Sequence, residues 1–260
     1  METNPLASIV RDRRPPKPRT TGITMMADWG IGAAAQRDLV ETSGAYIDLA
    51  KVAVGISALL PVPVLREKLA CYAAADIRTF TGGQFLEYAL LDDRADDYMR
   101  ACAEAGFGMI EVSDNLLEID LGAKCALIRR AREEFGLGVL GEAGKKEGID
   151  SDRDLAEDAE RCLEAGAEKV FLEAADLFSG EVAEDEVERI ASRCGAEALI
   201  FELPGPWIKG VTLSEVHETT RWMLRRFGPE VNIANVSPPD VIKLEALRLR
   251  IGVNAGGEEY

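Results

Sequence analysis

Eight short apolar runs recur along the chain, separated by stretches with helical periodicity. They are residues 22–28 (GITMMAD), 46–55 (YIDLAKVAVG), 77–83 (IRTFTGG), 108–114 (GMIEVSD), 138–144 (GVLGEAG), 169–174 (KVFLEA), 198–204 (ALIFELP) and 231–236 (VNIANV). Runs this short and apolar read as strands buried on both faces. In the intervening stretch 151–165, Leu155, Ala159, Cys162 and Leu163 share one helical face while acidic residues fill the other. Gly44, Gly106, Gly136, Gly166, Gly195 and Gly228 each stand a few residues ahead of a strand, where a left-handed residue closes a helix. The stretches AEAGFGMIEV and LEAGAEKVFLE are near copies of one helix–glycine–strand unit. Eight such units in 260 residues predict an α/β fold, a single (β/α)8 TIM barrel, over 19–252. The competing open, doubly wound sheet wants a G-x-G-x-x-G turn after its first strand, and the sequence has none there. Residues 1–18, rich in Pro and Arg, read as a flexible arm outside the barrel, and 253–260 as a fraying tail.

Charge narrows the function. The net charge is −16 and the pI about 4.6. A surface of that sign repels phosphate backbones, so nucleic acid is not expected as a partner. No run of about 18 apolar residues exists, so no membrane span is expected. The N-terminus lacks the apolar centre of a signal peptide. The five cysteines, Cys71, Cys102, Cys125, Cys162 and Cys194, have no C-x-x-C spacing and fall in helix-like stretches. They read as free thiols in a reducing, cytoplasmic setting. With a single histidine, His217 on an amphipathic stretch, zinc is not expected. A small anionic substrate would need the few basic groups of this acidic protein concentrated in one pocket.

In a closed parallel barrel the chemistry sits at the C-terminal strand ends. The first run delivers Asp28 and Trp29, and the second Lys51 and then Ser57. The third ends in Gly82-Gly83-Gln84 with Glu87 a turn later, and the fourth brings Glu111 and Asp114. The remaining runs end in Glu142 with Lys145 and Lys146, Glu173, Glu202, and Asn232 with Asn235. Lys51 shares a strand face with Leu49 and Ala53, and an ammonium there must be paired or poised at a site. Taken alone, G-E-A-G-K-K (141–146) could be a solvated turn; its alignment with other charged strand ends makes it part of a site. Glu111, Glu142, Glu173 and Glu202 on successive strands must raise one another's pKa or attract a cation. Lys51, Lys145 and a divalent metal are the available neutralisers, and oxygen ligands without histidine favour Mg2+. The expected site therefore has Lys145, Lys51 and Glu142 as catalytic groups. Asp28, Trp29, Ser57, Lys146 and Asn235 would surround the substrate, and Glu111, Asp114, Glu173 and Glu202 would hold Mg2+.

These residues lie in segments that resemble the phosphosulfolactate synthase family, to which plant heat-stress-associated proteins are related. The segments are R-x-T-G-I-T (19–24), A-D-x-G (27–30), Y-I-D-x-x-K (46–51), G-I-S-A-L (55–59), T-G-G-Q-F-L-E (81–87), E-V-S-D (111–114), G-E-A-G-K-K (141–146), E-A-G-A-E-K-V (164–170), R-F-G-P-E-V-N-I-A-N-V (226–236) and L-E-A-L-R (244–248). The resemblance implies a (β/α)8 barrel, often a homotrimer, so a homo-oligomer is expected. It also implies a Mg2+-dependent lyase in which sulfite adds to phosphoenolpyruvate. By the same resemblance the family's strand 2 lysine falls at Lys51, and its G-K-K lysine at Lys145 or Lys146.

The chain departs from the family's usual pattern where anions would be held. Trp29 stands where the family has lysine. E-A-A-D-L-F-S-G (173–180) lacks the usual arginine and lysine, L-P-G-P-W-I-K-G (203–210) replaces A-P-Q-K-S-Q-Q, and R-L-R-I-G-V-N-A-G (248–256) replaces R-R-G-L-R-G-D-T. A trianionic enol phosphate wants dense, bidentate cationic contacts. Two alternatives therefore accompany phosphosulfolactate synthesis: a lyase or isomerase acting on a less charged substrate, and a non-catalytic stress-associated or scaffold protein.

Overall fold

A computed structural model describes residues 4–11, 14–144, 154–172 and 184–254. Strands and helices alternate except at one helix pair: β1 (Thr24–Asp28), α1 (Ala33–Ser43), β2 (Leu49–Val52), α2 (Val62–Ala73), β3 (Arg78–Thr81), then the pair α3 (Gly83–Leu90) and α4 (Ala95–Ala105). After these come β4 (Met109–Val112), α5 (Leu121–Glu133), β5 (Gly138–Ala143), α6 (Leu155–Glu164) and β6 (Lys169–Leu172). The chain closes with α7 (Glu184–Cys194), β7 (Leu199–Glu202), α8 (Leu213–Phe227), β8 (Ile233–Val236) and α9 (Val241–Arg248). Each strand pairs in parallel with the next, and β8 returns to β1, closing the barrel expected from the eight runs.

Side-chain alternation along the strands sorts the core into two parts. Met25, Leu49, Phe80, Met109, Leu140, Phe171, Ile200 and Ala234 point inward and pack on one another inside the barrel. Their neighbours, among them Met26, Ala50, Ile110, Val139, Val170 and Phe201, face the helices in a larger outer core. The strands thus need apolar residues at nearly every position, which is the continuous pattern of the sequence.

Helix ends follow local chemistry. Thr212 and Glu215 form a reciprocal capping box on α8, and Asp154 caps α6. Five of the six glycines expected to be left-handed have φ between 66° and 107°. Gly44 is the exception, at φ −58°, because α1 runs on into a 3-10 turn over Gly44–Tyr46.

Residues 14–18, expected to be part of a flexible arm, are fastened across the N-terminal ends of the strands. The Lys17 ammonium donates to the carbonyls of Gly44 at 2.8 Å and Ile47 at 2.9 Å, and to that of Ala75. The neighbouring Arg19 pairs with Asp48 at 3.0 Å, and Arg14 pairs with Glu245 on α9. The five cysteines are free thiols. Among the described residues no helix is long and apolar enough to cross a membrane.

Candidate active site

The inward parity that buries Met109, Leu140 and Ile200 carries Glu111, Glu142 and Glu202 inward one step later on β4, β5 and β7. On β2 the same step places Lys51, in register with Ala27 and Phe80. Its ammonium lies 2.8 Å from Glu111 Oε2 and 3.4 Å from Glu202 Oε1. Below it are the rings of Phe171 and Phe80, at 4.9 and 5.7 Å from their centroids, a cation–π floor. Burial alone would lower the Lys51 pKa. The carboxyls of Glu111, Glu202 and Glu142 outweigh it and hold the group above its ordinary value.

Glu111 is the unusual acid. Burial pushes its pKa up to about 8; Lys51 pulls it down, and the adjoining Glu142 carboxyl, hydrogen-bonded to it, raises it again. The two carboxyls thus hold a proton at neutral pH, beside a permanent cation. Glu111 Oε1 also accepts the backbone N–H of Gly83 at 2.9 Å, at the start of α3. Glycine is required there: a Cβ on residue 83 would stand 2.9 Å from Glu111 Oε1 and collide with the Ser113 side chain. Gly83→Ala is expected to push Glu111 off the Gly83 N–H that favours its ionised form and so to raise its pKa further, read by titrating the carboxyl with NMR.

Above this floor opens a cavity of about 340 Å3, lined by Lys51, Glu111 and Glu202 below and by Trp29, Trp207 and Asn235 among others above. Trp29 and Trp207 pack with ring centroids 5.6 Å apart and remain 52% and 42% exposed. Asn235, at φ 59°, lines the same mouth.

Three expected residues are placed elsewhere. Asp28 is one position out of phase with inward-facing Ala27 and is fully buried. Its Oδ2 accepts from Lys68 Nζ at 2.6 Å and Tyr72 OH at 2.8 Å, both on α2. Its Oδ1 takes the N–H groups of Gly30 and Ile31. Asp28 therefore clamps the loop that carries Trp29 and does not line the cavity. Asp114 is likewise out of phase with Glu111; its Oδ1 sits 2.9 Å from Lys124 Nζ on α5. Ser57 lies in the 3-10 turn after β2 and lines a different, apolar cavity with Phe85, Tyr98 and Phe107. Lys145, Lys146 and Glu173 fall outside the described residues.

Of the four carboxylates expected to hold Mg2+, Glu173 lies outside the described residues. Asp114 is neutralised by Lys124, while Glu111 and Glu202 share Lys51. Among the described residues no group of three carboxylate, imidazole or thiol side chains is arranged to hold a metal. The described donors therefore do not fit Mg2+.

Two buried supports hold the mouth in shape: Glu87, noted in the sequence only as lying a turn beyond the third strand, and Lys124, which the sequence reading did not name. Glu87 on α3 accepts from Ser113 Oγ and from the backbone N–H groups of Asn115, Leu116 and Leu117. It thereby fixes the β4–α5 loop, whose Asn115 and Leu116 line the cavity. Lys124 donates to the carbonyl of Glu142 and to Asp158 as well as to Asp114. Glu87→Leu is expected to loosen the 113–117 loop, seen as faster amide exchange at Asn115–Leu117 while the barrel strands stay protected.

A family model described as (2R)-phospho-3-sulfolactate synthase (ComA) matches residues 12–253. A phosphosulfolactate synthase of Methanothermobacter thermautotrophicus is 33% identical over 89% of this chain and 90% of its own length. The Bacillus subtilis phosphosulfolactate synthase is 30% identical over 90% and 91%, respectively. The Arabidopsis thaliana protein HEAT-STRESS-ASSOCIATED 32 is 26% identical over 91% and 89%. Among solved structures, 3-hexulose-6-phosphate synthase from Salmonella typhimurium superposes with a TM-score of 0.57 at 13% identity, covering 88% of this chain and 99% of that one. At that identity the likeness is one of barrel architecture alone. The sequence likeness runs through all eight strands, including those that carry Lys51 and its three carboxylates to the mouth, and it places this chain in the (2R)-phospho-3-sulfolactate synthase (ComA) family of lyase-type synthases.

Proposed function

We propose that this protein adds a nucleophile across the double bond of a small enol acid, the reaction type that its resemblance to phosphosulfolactate synthases implies. The observation that supports this reading is the Lys51 ammonium set among Glu111, Glu142 and Glu202 at the barrel mouth, with a proton held on the Glu111–Glu142 pair. In the addition, the nucleophile's lone pair forms a bond to the substrate's methylene carbon. The π electrons move toward the adjacent carbon as negative charge spreads onto the carboxylate, and Lys51 stabilises that charge. Glu111 then delivers its proton to the adjacent carbon and is left as a carboxylate, recharged from solvent through Glu142. With sulfite as nucleophile the new bond is C–S, as in phosphosulfolactate synthesis.

Among the described residues Lys51 is the one cation lining the cavity. Together with the missing basic residues at 29 and 173–180, this favours an enol acid carrying less charge than phosphoenolpyruvate. The test is to incubate the protein with sulfite and either phosphoenolpyruvate or phosphate-free enol ethers of 2-oxo acids, following by 13C NMR the C–S bond at the former methylene carbon against an enzyme-free control. Turnover is expected to be weak with phosphoenolpyruvate and stronger with a less charged acid. No turnover of any such acid would remove the reading; robust turnover of phosphoenolpyruvate would restore the phosphate-bearing substrate.

The raised Glu111 pKa sets a pH dependence. A general acid must be protonated, so kcat is expected to hold below about 8 and to fall as pH rises through that value. Glu111→Gln is expected to remove this alkaline limb along with most of the turnover, as measured by a kcat–pH profile of both proteins.

A further inference from the structure

We infer that the rim of the cavity is built for a flat apolar group, so that the natural ligand is a monocarboxylic acid with an aryl or alkyl tail. This deepens the proposed function by naming its substrate class. The cavity is chemically two-sided. Its floor carries the charged groups, Lys51 with Glu111 and Glu202. Its rim carries Trp29, Trp207, Ile208, Leu116 and Val54.

Several observations show that the indoles are built into the mouth. Trp29 follows directly on Asp28, whose carboxylate is locked by Lys68, Tyr72 and the N–H groups of Gly30 and Ile31. The backbone on both sides of Trp29 is therefore fixed. Trp207 lies against Gly205, where an added Cβ would collide with the indole ring, so residue 205 leaves space for that ring. The two rings touch at 5.6 Å with a 45° tilt and present one bent aromatic wall. Both stay about half exposed, although indoles ordinarily bury most of their surface. A flat ligand tail would complete that burial. Among the described residues lining the cavity, a phosphate at the rim would meet no second lysine or arginine.

The size of the cavity, about 340 Å3, suits a ligand of phenylpyruvate's dimensions. Its carboxylate would reach the floor near Lys51, and its ring the rim.

The test is isothermal calorimetry with phenylpyruvate, pyruvate and phosphoenolpyruvate on the wild-type protein and on Trp29→Ala, Trp207→Ala, Gly205→Ala, Trp29→Phe and Trp207→Phe. Wild type is expected to bind phenylpyruvate at least about tenfold more tightly than pyruvate. Each indole-to-alanine change should cut phenylpyruvate affinity about tenfold and change pyruvate affinity less than about threefold, whereas the phenylalanine variants should keep most of the preference. Gly205→Ala should behave like Trp207→Ala, because it displaces the same ring. Absence of phenylpyruvate binding, tighter binding of phosphoenolpyruvate than of phenylpyruvate, or an equal loss for all three acids in the alanine variants would overturn the inference. Circular dichroism melts identify any variant that fails to fold; the wild-type ranking of the three acids decides the matter without the variants. Binding is read separately from turnover, so tight phenylpyruvate binding without C–S formation would sink the proposed reaction and leave this inference standing.

Discussion

Lys51→Met is expected to lower kcat for the accepted enol acid by about 10²–10³-fold, the usual loss when one preorganised charge-stabilising group is removed. The argument rests on position. Lys51 is the cation nearest to Glu111, at 2.8 Å, and it faces the cavity from its floor. Methionine keeps the length and apolar stem over Phe171 and Phe80 while removing the charge. The substitution also tests the electrostatics without a substrate. Lys51 is the influence that lowers the Glu111 pKa; without it, burial and Glu142 both act upward, so the carboxyl should titrate well above 8. A carboxyl whose folded pKa lies above its unfolded value stabilises the fold at pH below the unfolded value, about 4.3, and that stability drains away as pH rises. Wild-type Glu111 shares this loss up to its own pKa of about 8, so the melting temperature of Lys51→Met should keep a constant offset from wild type below about pH 7 and fall further behind only above about pH 8. A pH-independent difference, or unchanged turnover, would show that Lys51 is a packing residue.

The barrel was legible because its signal is repeated. A strand–helix unit recurring eight times leaves one closed topology, and the sequential closure of β1 to β8 bears this out. The floor of the site was legible for the same reason as the barrel core. Lys51 lies two residues from Leu49, Glu111 two from Met109, Glu142 two from Leu140 and Glu202 two from Ile200, so each inherits an inward direction. The same rule, applied to Asp28 and Asp114, turns them outward: each is an odd number of residues from Met25 and Met109, respectively. Their role as loop clamps was therefore implicit in the strand phase, and selecting every acidic residue at a strand end missed it. Their partners were hidden. Lys68 in V-P-V-L-R-E-K-L-A-C-Y-A and Lys124 in L-G-A-K-C-A-L-I-R-R sit in helices crowded with other charges. Which basic residue of a helix turns inward depends on how that helix rolls against the sheet, and a strand's carboxylate decides it only after folding. The Trp29–Trp207 contact joins residues 178 positions apart, across the barrel mouth, and no local pattern encodes it.

Lys124→Met is expected to cost about 3–5 kcal/mol of stability, the range typical of removing one partner from a buried ionic group. Lys124 is wholly buried between the barrel and its helix layer. Its ammonium bridges Asp114 and Asp158, each at 2.9 Å, and also holds the backbone carbonyl of Glu142. Methionine fills much of the same volume but leaves two carboxylates facing each other in a site closed to water, where isolated charge is heavily penalised. For a chain near this size such a loss lowers Tm by roughly 6–20 °C, which a calorimetric melt resolves. The triple variant Lys124→Met, Asp114→Asn, Asp158→Asn separates charge from packing: if uncompensated charge is the cause, it should recover a large part of the lost Tm. Recovery of stability need not bring back turnover. The Glu142 carbonyl would still lack its Lys124 donor, so the end of β5, and with it the carboxyl that shares a proton with Glu111, would remain less firmly placed. A triple variant that regains its melting temperature while its kcat stays several-fold low would mark Lys124 as a positioning residue. Full recovery of both would reduce it to a stabilising one, and a single variant as stable as wild type would refute the buried-charge argument.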